Sequence, residues 1–197
     1  VYLSGSNIYG GNLKGHRGEG HLVHIDTEQG LYHAQNVFKR PYDMDSSINP
    51  NLYHTFALRA ISHKQRIDFI EHYLSKKLDR PSLVILDGIA DLVADVNDNA
   101  ECNKTVQKLM EWSAKYSVHI ICVIHHNYGT TKMTGHLGSA LEKKTECQIE
   151  LEANTVQKDW ITVSCKRSRG YPFETFSFKV NELGMPVICE NIYDPLK

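Results

Sequence analysis

The chain has 197 residues, 22 Lys and Arg against 23 Asp and Glu, and a formal net charge of -1, which suits a single domain and excludes a uniformly basic nucleic-acid coat, leaving only local patches for polyanions. Its five cysteines, odd in number and without a C-x-x-C pair, argue against a disulfide framework or structural zinc and for a reducing cytoplasm. No run approaches the ~18 apolar residues of a membrane span, and no basic-then-apolar leader is visible.

In chain order, Val1-Tyr2-Leu3-Ser4-Gly5 reads as the tail of a helix closing on a glycine, so the sequence is expected to begin partway into its domain. Residues 5–20, rich in Gly, Asn and Ser, are expected as a mobile surface loop. A strand is expected at 21–27, then a largely irregular stretch over 28–50 with one short helix near Leu31–Phe38, then a second strand over Leu52–Ala60. Ser62-His63-Lys64-Gln65 has the form of a capping box. Behind it, Ile67, Ile70, Tyr73, Leu74 and Leu78 recur at helical spacing, and Pro81 ends that element. Ser82-Leu83-Val84-Ile85-Leu86-Asp87-Gly88 is a third apolar strand, followed by an acidic turn over Asp91–Asn99. A helix over 100–116 carries Val106, Leu109, Met110 and Trp112 on its apolar side. His119-Ile120-Ile121-Cys122-Val123-Ile124-His125-His126 is the next strand, and Gly135–Leu141 opens a short helix. Alternating segments at 146–152, 160–166 and 174–180 predict antiparallel hairpins.

The apolar runs before Glu28, Asp87 and His125 are continuous rather than alternating. That pattern marks strands buried on both faces of a parallel sheet. Strand, helix, strand, helix, strand is the signature of right-handed crossovers onto such a sheet, and ligands bind beyond the carboxyl ends of its strands. Each polar strand end has two readings. Asp87 can hold a magnesium ion, directly or through water, or serve as a turn aspartate before Gly88. Glu28 can polarise water as a general base, or be a solvated strand-end acid. Asp26 and Thr27 point to opposite faces by alternation. His125 and His126 also diverge, so one of them can donate to a phosphate oxygen while shared metal ligation is awkward. Lys166, Arg167 and Arg169 close a predicted strand, as trans-acting cations or as a solvated basic turn. Asn127, Tyr128 and Lys132 lie in a polar loop able to track phosphates.

These stretches, taken in order from about Leu22 to Phe178, resemble the RecA-like P-loop ATPases. Within them they resemble the RepA-like branch, related to hexameric helicases and encoded by plasmids and mobilizable transposons. The residues carrying the likeness are Ile25-Asp26-Thr27-Glu28-Gln29, Leu83–Leu92, Val123-Ile124-His125-His126-Asn127 and Gly135–Leu141. The resemblance implies one RecA-like core over 1–197, a mostly parallel α/β sheet flanked by helices with antiparallel strands on its C-terminal side. It implies ATP and Mg as cofactors, with Glu28 as the catalytic glutamate and Asp87 as the Walker B aspartate that holds Mg through water. His125 or His126 then takes the sensor position, and Arg169, with Arg167 or Lys166, reaches a neighbouring protomer's nucleotide. Asn127, Tyr128 and Lys132 in the 127–134 loop touch single-stranded DNA in a central channel. The protein is then a cytoplasmic ring-forming homo-oligomer, a hexamer in the helicase-like case, and couples hydrolysis to replication or mobilization of a mobile element. The sequence departs from the family at one point: it contains no G-x-x-x-x-G-K-[ST] phosphate loop. Gly10-Gly11-Asn12-Leu13-Lys14-Gly15 has the wrong spacing. Truncation ahead of Val1 is the expected reason, and it leaves the fragment inactive by itself. A metal-dependent phosphoesterase using Asp26, Asp87, Asn97, Asp98, His125, His126 and His136, and a non-catalytic RecA-like DNA- or partner-binding module, are the alternatives.

Overall fold

The computed structural model describes residues 7–9, 13–15, 19–76, 80–127, 129–130 and 132–189. They form two compact units, one spanning Gly15–Lys144 and the other comprising Asn7–Lys14 and the described residues from Thr145 onward. The expected helix tail at residues 1–5, together with Leu78, lies outside the described residues.

The first unit is built on a four-stranded sheet of β3 (His21–Asp26), β4 (Tyr53–Ala57), β5 (Pro81–Asp87) and β6 (His119–Val123) in the order β4-β3-β5-β6. All three pairings are parallel, and Asp26 stands opposite Asp87. Every residue of β3 is buried, as expected of a central strand covered on both faces. Val23, Ile25, Val84 and Leu86 enter the larger core, with Ile70, Leu74, Val106, Leu109 and Trp112 from helices. Leu22 and Leu83 face a smaller cluster with Ile48 and Tyr53.

Three helices cover this sheet, α1 (Leu31–Met44), α2 (His63–Ser75) and α3 (Asn99–Tyr116), and α4 (Gly135–Lys144) packs on α3. The capping box of α2 is present: Ser62 Oγ accepts from the Gln65 amide, and the Gln65 side chain accepts from the Ser62 amide. Asp98 caps α3 by accepting from Glu101 N at 2.9 Å. The buried stripe of α3 is Cys102, Val106, Leu109, Trp112 and Tyr116. Met110, assigned to that stripe from the sequence, is 42% exposed, because one residue past Leu109 turns it about 100° off the packed face. Among the described residues no helix is long and apolar enough to cross a membrane.

Several local expectations are corrected. The stretch after Glu28 holds a 14-residue helix, α1, that runs through Pro41, rather than a short one ending at Phe38. Only Ala34 of it is buried, so it lacks the apolar periodicity that marks a helix in sequence. Pro81 opens β5 instead of closing a helix. β6 stops at Val123, and the chain returns through a bridge between His126 and Met133.

The second unit carries a four-stranded antiparallel sheet of β7 (Cys147–Ala153), β8 (Trp160–Ser168), β9 (Phe176–Val180) and β10 (Pro186–Cys189), ordered β10-β9-β8-β7. A two-stranded pair, β1 (Asn7–Tyr9) and β2 (Leu13–Lys14), replaces part of the expected loop. β10 escaped the sequence reading because Pro186 and the short run after it give little alternation.

Candidate functional site

At the carboxyl ends of β3 and β5 the two strands are joined by Thr27. Its amide donates to Asp87 O at 2.7 Å, its hydroxyl donates to Gly88 O at 2.9 Å, and the Gly88 amide donates to that hydroxyl at 3.1 Å. Beside it, Asp26 folds the backbone into an Asx turn: its Oδ1 accepts from the amides of Glu28 at 3.1 Å and Gln29 at 2.8 Å. A short carboxylate at a strand end is suited to that local role. The turn aims the Glu28 side chain across Gly88. A Cβ at position 88 would sit 1.8 Å from Glu28 Oε1, so only glycine leaves room for the carboxylate there.

Glu28 Oε2 lies 3.1 Å from His125 Nε2, with the glutamate side chain 33% and the histidine 75% exposed. Because the pair is wet, its worth to folding is small, and its consequence is positional: the carboxylate and the imidazole face the same solvent. Thr134 N and Oγ1 both donate to His125 O, at 3.1 and 2.8 Å, which fixes the backbone that carries this ring. Asp87, at the end of the strand next to β3, has its Oδ2 3.8 Å from His24 Nε2 and its side chain 24% exposed. Glu28, Asp87 and His125 are thus gathered at the ends of three adjacent parallel strands. His126 is drawn instead into the bridge with Met133.

Sequence reading missed His24, Thr27 and Gly88 as parts of this rim. Period-two alternation held the signal for His24: it shares a face with Asp26 and so looks toward Asp87 on the neighbouring strand.

Asp87 suits the way Mg2+ is held, through one carboxylate and several waters alongside phosphate oxygens. Among the described residues no three His, Cys, Asp or Glu side chains converge as a metal cage. The ligand set of the phosphoesterase alternative accordingly does not assemble. Asp26 is fully buried and engaged in its turn, and Asp98 is occupied as a helix cap.

The remaining candidates are in two places. Asn127 and Lys132 are exposed in a tight return held by Asn127 N donating to Lys132 O at 2.8 Å; Tyr128 lies outside the described residues. Lys166 and Arg167 end β8 in the second unit and Arg169 follows it, all exposed. Lys166 pairs with Glu150 at 2.8 Å. A cavity of about 400 Å³ in the first unit, lined by Lys104, Met110, Lys143 and Lys144 among others, shares no residue with the rim.

No protein-family model matches the chain, and no curated protein matches it in sequence. Among solved structures it is similar to the ATPase domain of a hexameric replicative helicase, with a TM-score of 0.61 and 13% identity over 87% of this chain and 75% of that one. The fold is RecA-like: a parallel sheet flanked by helices, with an antiparallel sheet in addition.

Proposed function

We propose that this chain is the core of a RecA-like ATPase whose chemistry takes place at the rim formed by Glu28, Asp87 and His125. The observation that carries the reading is the 3.1 Å approach of Glu28 to His125 beside Asp87, at the carboxyl ends of parallel strands, where such sheets place their ligands. Glu28 polarises the attacking water, and its position just beyond the Asp26 turn lets it reach outward from a buried support. His125 orients Glu28 and donates to the terminal phosphate. Asp87 is the residue that would hold Mg2+, which when bound shields the phosphate charge.

The phosphates themselves need a cradle that the 197 residues do not encode as a recognisable loop, and we propose that it joins the sheet from outside them. β6 forms one edge of its sheet, with Ile121 41% and Val123 36% exposed; an open apolar edge is suited to receive a further strand. Arg169, with Arg167 or Lys166, would complete the site of an adjacent subunit in a ring, and Asn127, Tyr128 and Lys132 would contact single-stranded DNA. Coupling to replication or mobilization of a mobile element, in the manner of the RepA-like branch, rests on the sequence resemblance.

The test is ATP turnover in the full-length protein. Glu28→Gln keeps shape and removes the base, so hydrolysis should fall by ~10²-fold or more, the usual worth of a general base, while Mg·ATP binds unchanged. Equal loss of binding and turnover would give Glu28 a structural task instead. Absence of hydrolysis with salt-dependent DNA binding would favour a non-catalytic module.

A further inference from the structure

The most unusual group in the first unit is one the proposed chemistry leaves unused. His24 lies in the middle of β3, 7% exposed, directly behind the rim. Its Nδ1 is 2.8 Å from the Tyr53 hydroxyl, and Phe38 packs edge-on against its ring with centroids 5.0 Å apart. Its Nε2 is buried with no hydrogen-bond partner, and the charged group it faces is Asp87, whose Oδ2 is 3.8 Å away. Buried polar atoms are nearly always paired, so an unpaired one aimed at a carboxylate calls for an explanation.

We infer that His24 is a positioning residue for Asp87, with Tyr53 fixing the ring so that the Nε2 proton points at Oδ2. Two arrangements of the buried ring satisfy Nδ1. In one, Tyr53 donates to Nδ1 and the ring proton sits on Nε2, facing the aspartate. In the other, Nδ1–H donates to the phenol oxygen and a bare Nε2 lone pair faces a carboxylate, which is repulsive. Burial raises the Tyr53 hydroxyl above its ordinary range, so the phenol keeps the proton it must donate. The neighbouring acid does not compete for this role: Asp26 Oδ1 is already taken by Glu28 N and Gln29 N.

The separation of 3.8 Å is longer than a hydrogen bond, and a small rotation of the Asp87 carboxyl closes it. Catalytic hydrogen bonds of this kind commonly tighten when the ligand arrives. Held from behind through Oδ2, Asp87 presents its other oxygen to the crevice. A buried donor behind a ligating side chain orients it as outer-shell partners orient metal ligands generally. The inference deepens the reading of Asp87 given above and rests on it for its functional meaning, though the contact can be tested without any hydrolysis.

The experiment is nitrogen and carbon NMR on the 197-residue chain. In the wild type, the His24 ring should show a proton on Nε2 and a hydrogen-bonded, unprotonated Nδ1. Tyr53→Phe should abolish that preference and give a mixture of the two tautomers. The side-chain carboxyl carbon of Asp87 should shift in His24→Leu and return toward its wild-type position in His24→Gln, whose amide nitrogen replaces Nε2 the same number of bonds from the backbone. A proton found on Nδ1, or an Asp87 carboxyl signal unchanged in both variants, overturns the assignment. Should His24→Leu fail to fold, the wild-type tautomer and its response to Tyr53→Phe decide the question alone. A confirmed tautomer in a protein that never hydrolyses ATP would leave the contact standing and sink only the ATPase reading.

Discussion

Replacing Gly88 by alanine should separate the stability of this fold from the geometry of its rim. Gly88 has φ -117° and ψ 133°, an extended conformation open to any residue, so the backbone imposes no penalty. Loss of unfolded-state freedom favours alanine by about 0.4–1 kcal/mol. Against this stands overpacking, typically ~1–3 kcal/mol where neighbours are rigid. The obstructing atoms, however, are Glu28 Oε1 at 1.8 Å and Cδ at 2.6 Å, the free end of a side chain that can swing toward solvent. The net change in unfolding free energy should therefore stay within ~1 kcal/mol, the two effects largely offsetting. The carboxylate must nonetheless retreat by roughly 1.7 Å to reach the ~3.5 Å spacing of ordinary contact, and that displacement removes its 3.1 Å approach to His125. Urea unfolding would report the first quantity, through a midpoint shift at unchanged slope. Turnover in the full-length protein would report the second, with a fall of ~10-fold to ~100-fold expected from a misplaced general base. A destabilisation above ~3 kcal/mol would mean that the obstruction is rigid, beyond the usual cost of overpacking. Full activity in a stable Gly88→Ala protein would mean that the placement of Glu28 over position 88 has no bearing on turnover.

Arg66 supports the loop that follows β4. It is buried, and its guanidinium donates to the carbonyls of Leu58 at 3.1 Å, Arg59 at 3.0 Å and Asp91 at 2.7 Å. Arg66→Ala leaves these acceptors unpaired and should cost about 3 kcal/mol in urea unfolding, and Arg66→Lys should recover little, since an ammonium cannot reproduce the fork. Burial pushes the Cys122 thiol up to about 12. At pH 8 its thiolate is then roughly one part in ten thousand, so alkylation should be at least ~100-fold slower in the native chain than in urea, measured by mass spectrometry of the labelled peptide.

Much of this arrangement is written plainly in the chain because parallel strands announce themselves. Leu83–Leu86 and Ile120–Val123 are apolar without alternation, and each leads to the polar group that the sheet then places at its rim. The capping box at Ser62 is equally local, needing only two side chains three residues apart. What sequence hides is contact between distant segments. Nothing near Gly88 declares that Glu28, far earlier in the chain, passes over it, and nothing near Tyr53 declares that its hydroxyl meets His24. Helix α1 was obscured for a different reason: with Ala34 as its one buried residue and Pro41 within it, it presents almost no apolar stripe. Met110 misled in the opposite sense, as an apolar residue beside a packed stripe but not of it.

If the ATPase reading holds, the nucleotide's terminal phosphate meets this chain at Glu28, Asp87 and His125. Titrating Mn·ATP into the isotope-labelled full-length protein locates that phosphate, because the paramagnetic ion broadens only the nuclei near it, even when binding is weak. The Asp87, Gly88, Glu28 and His125 signals should be lost first. Broadening centred on Lys104, Lys143 and Lys144 between α3 and α4, with the rim left sharp, would contradict it.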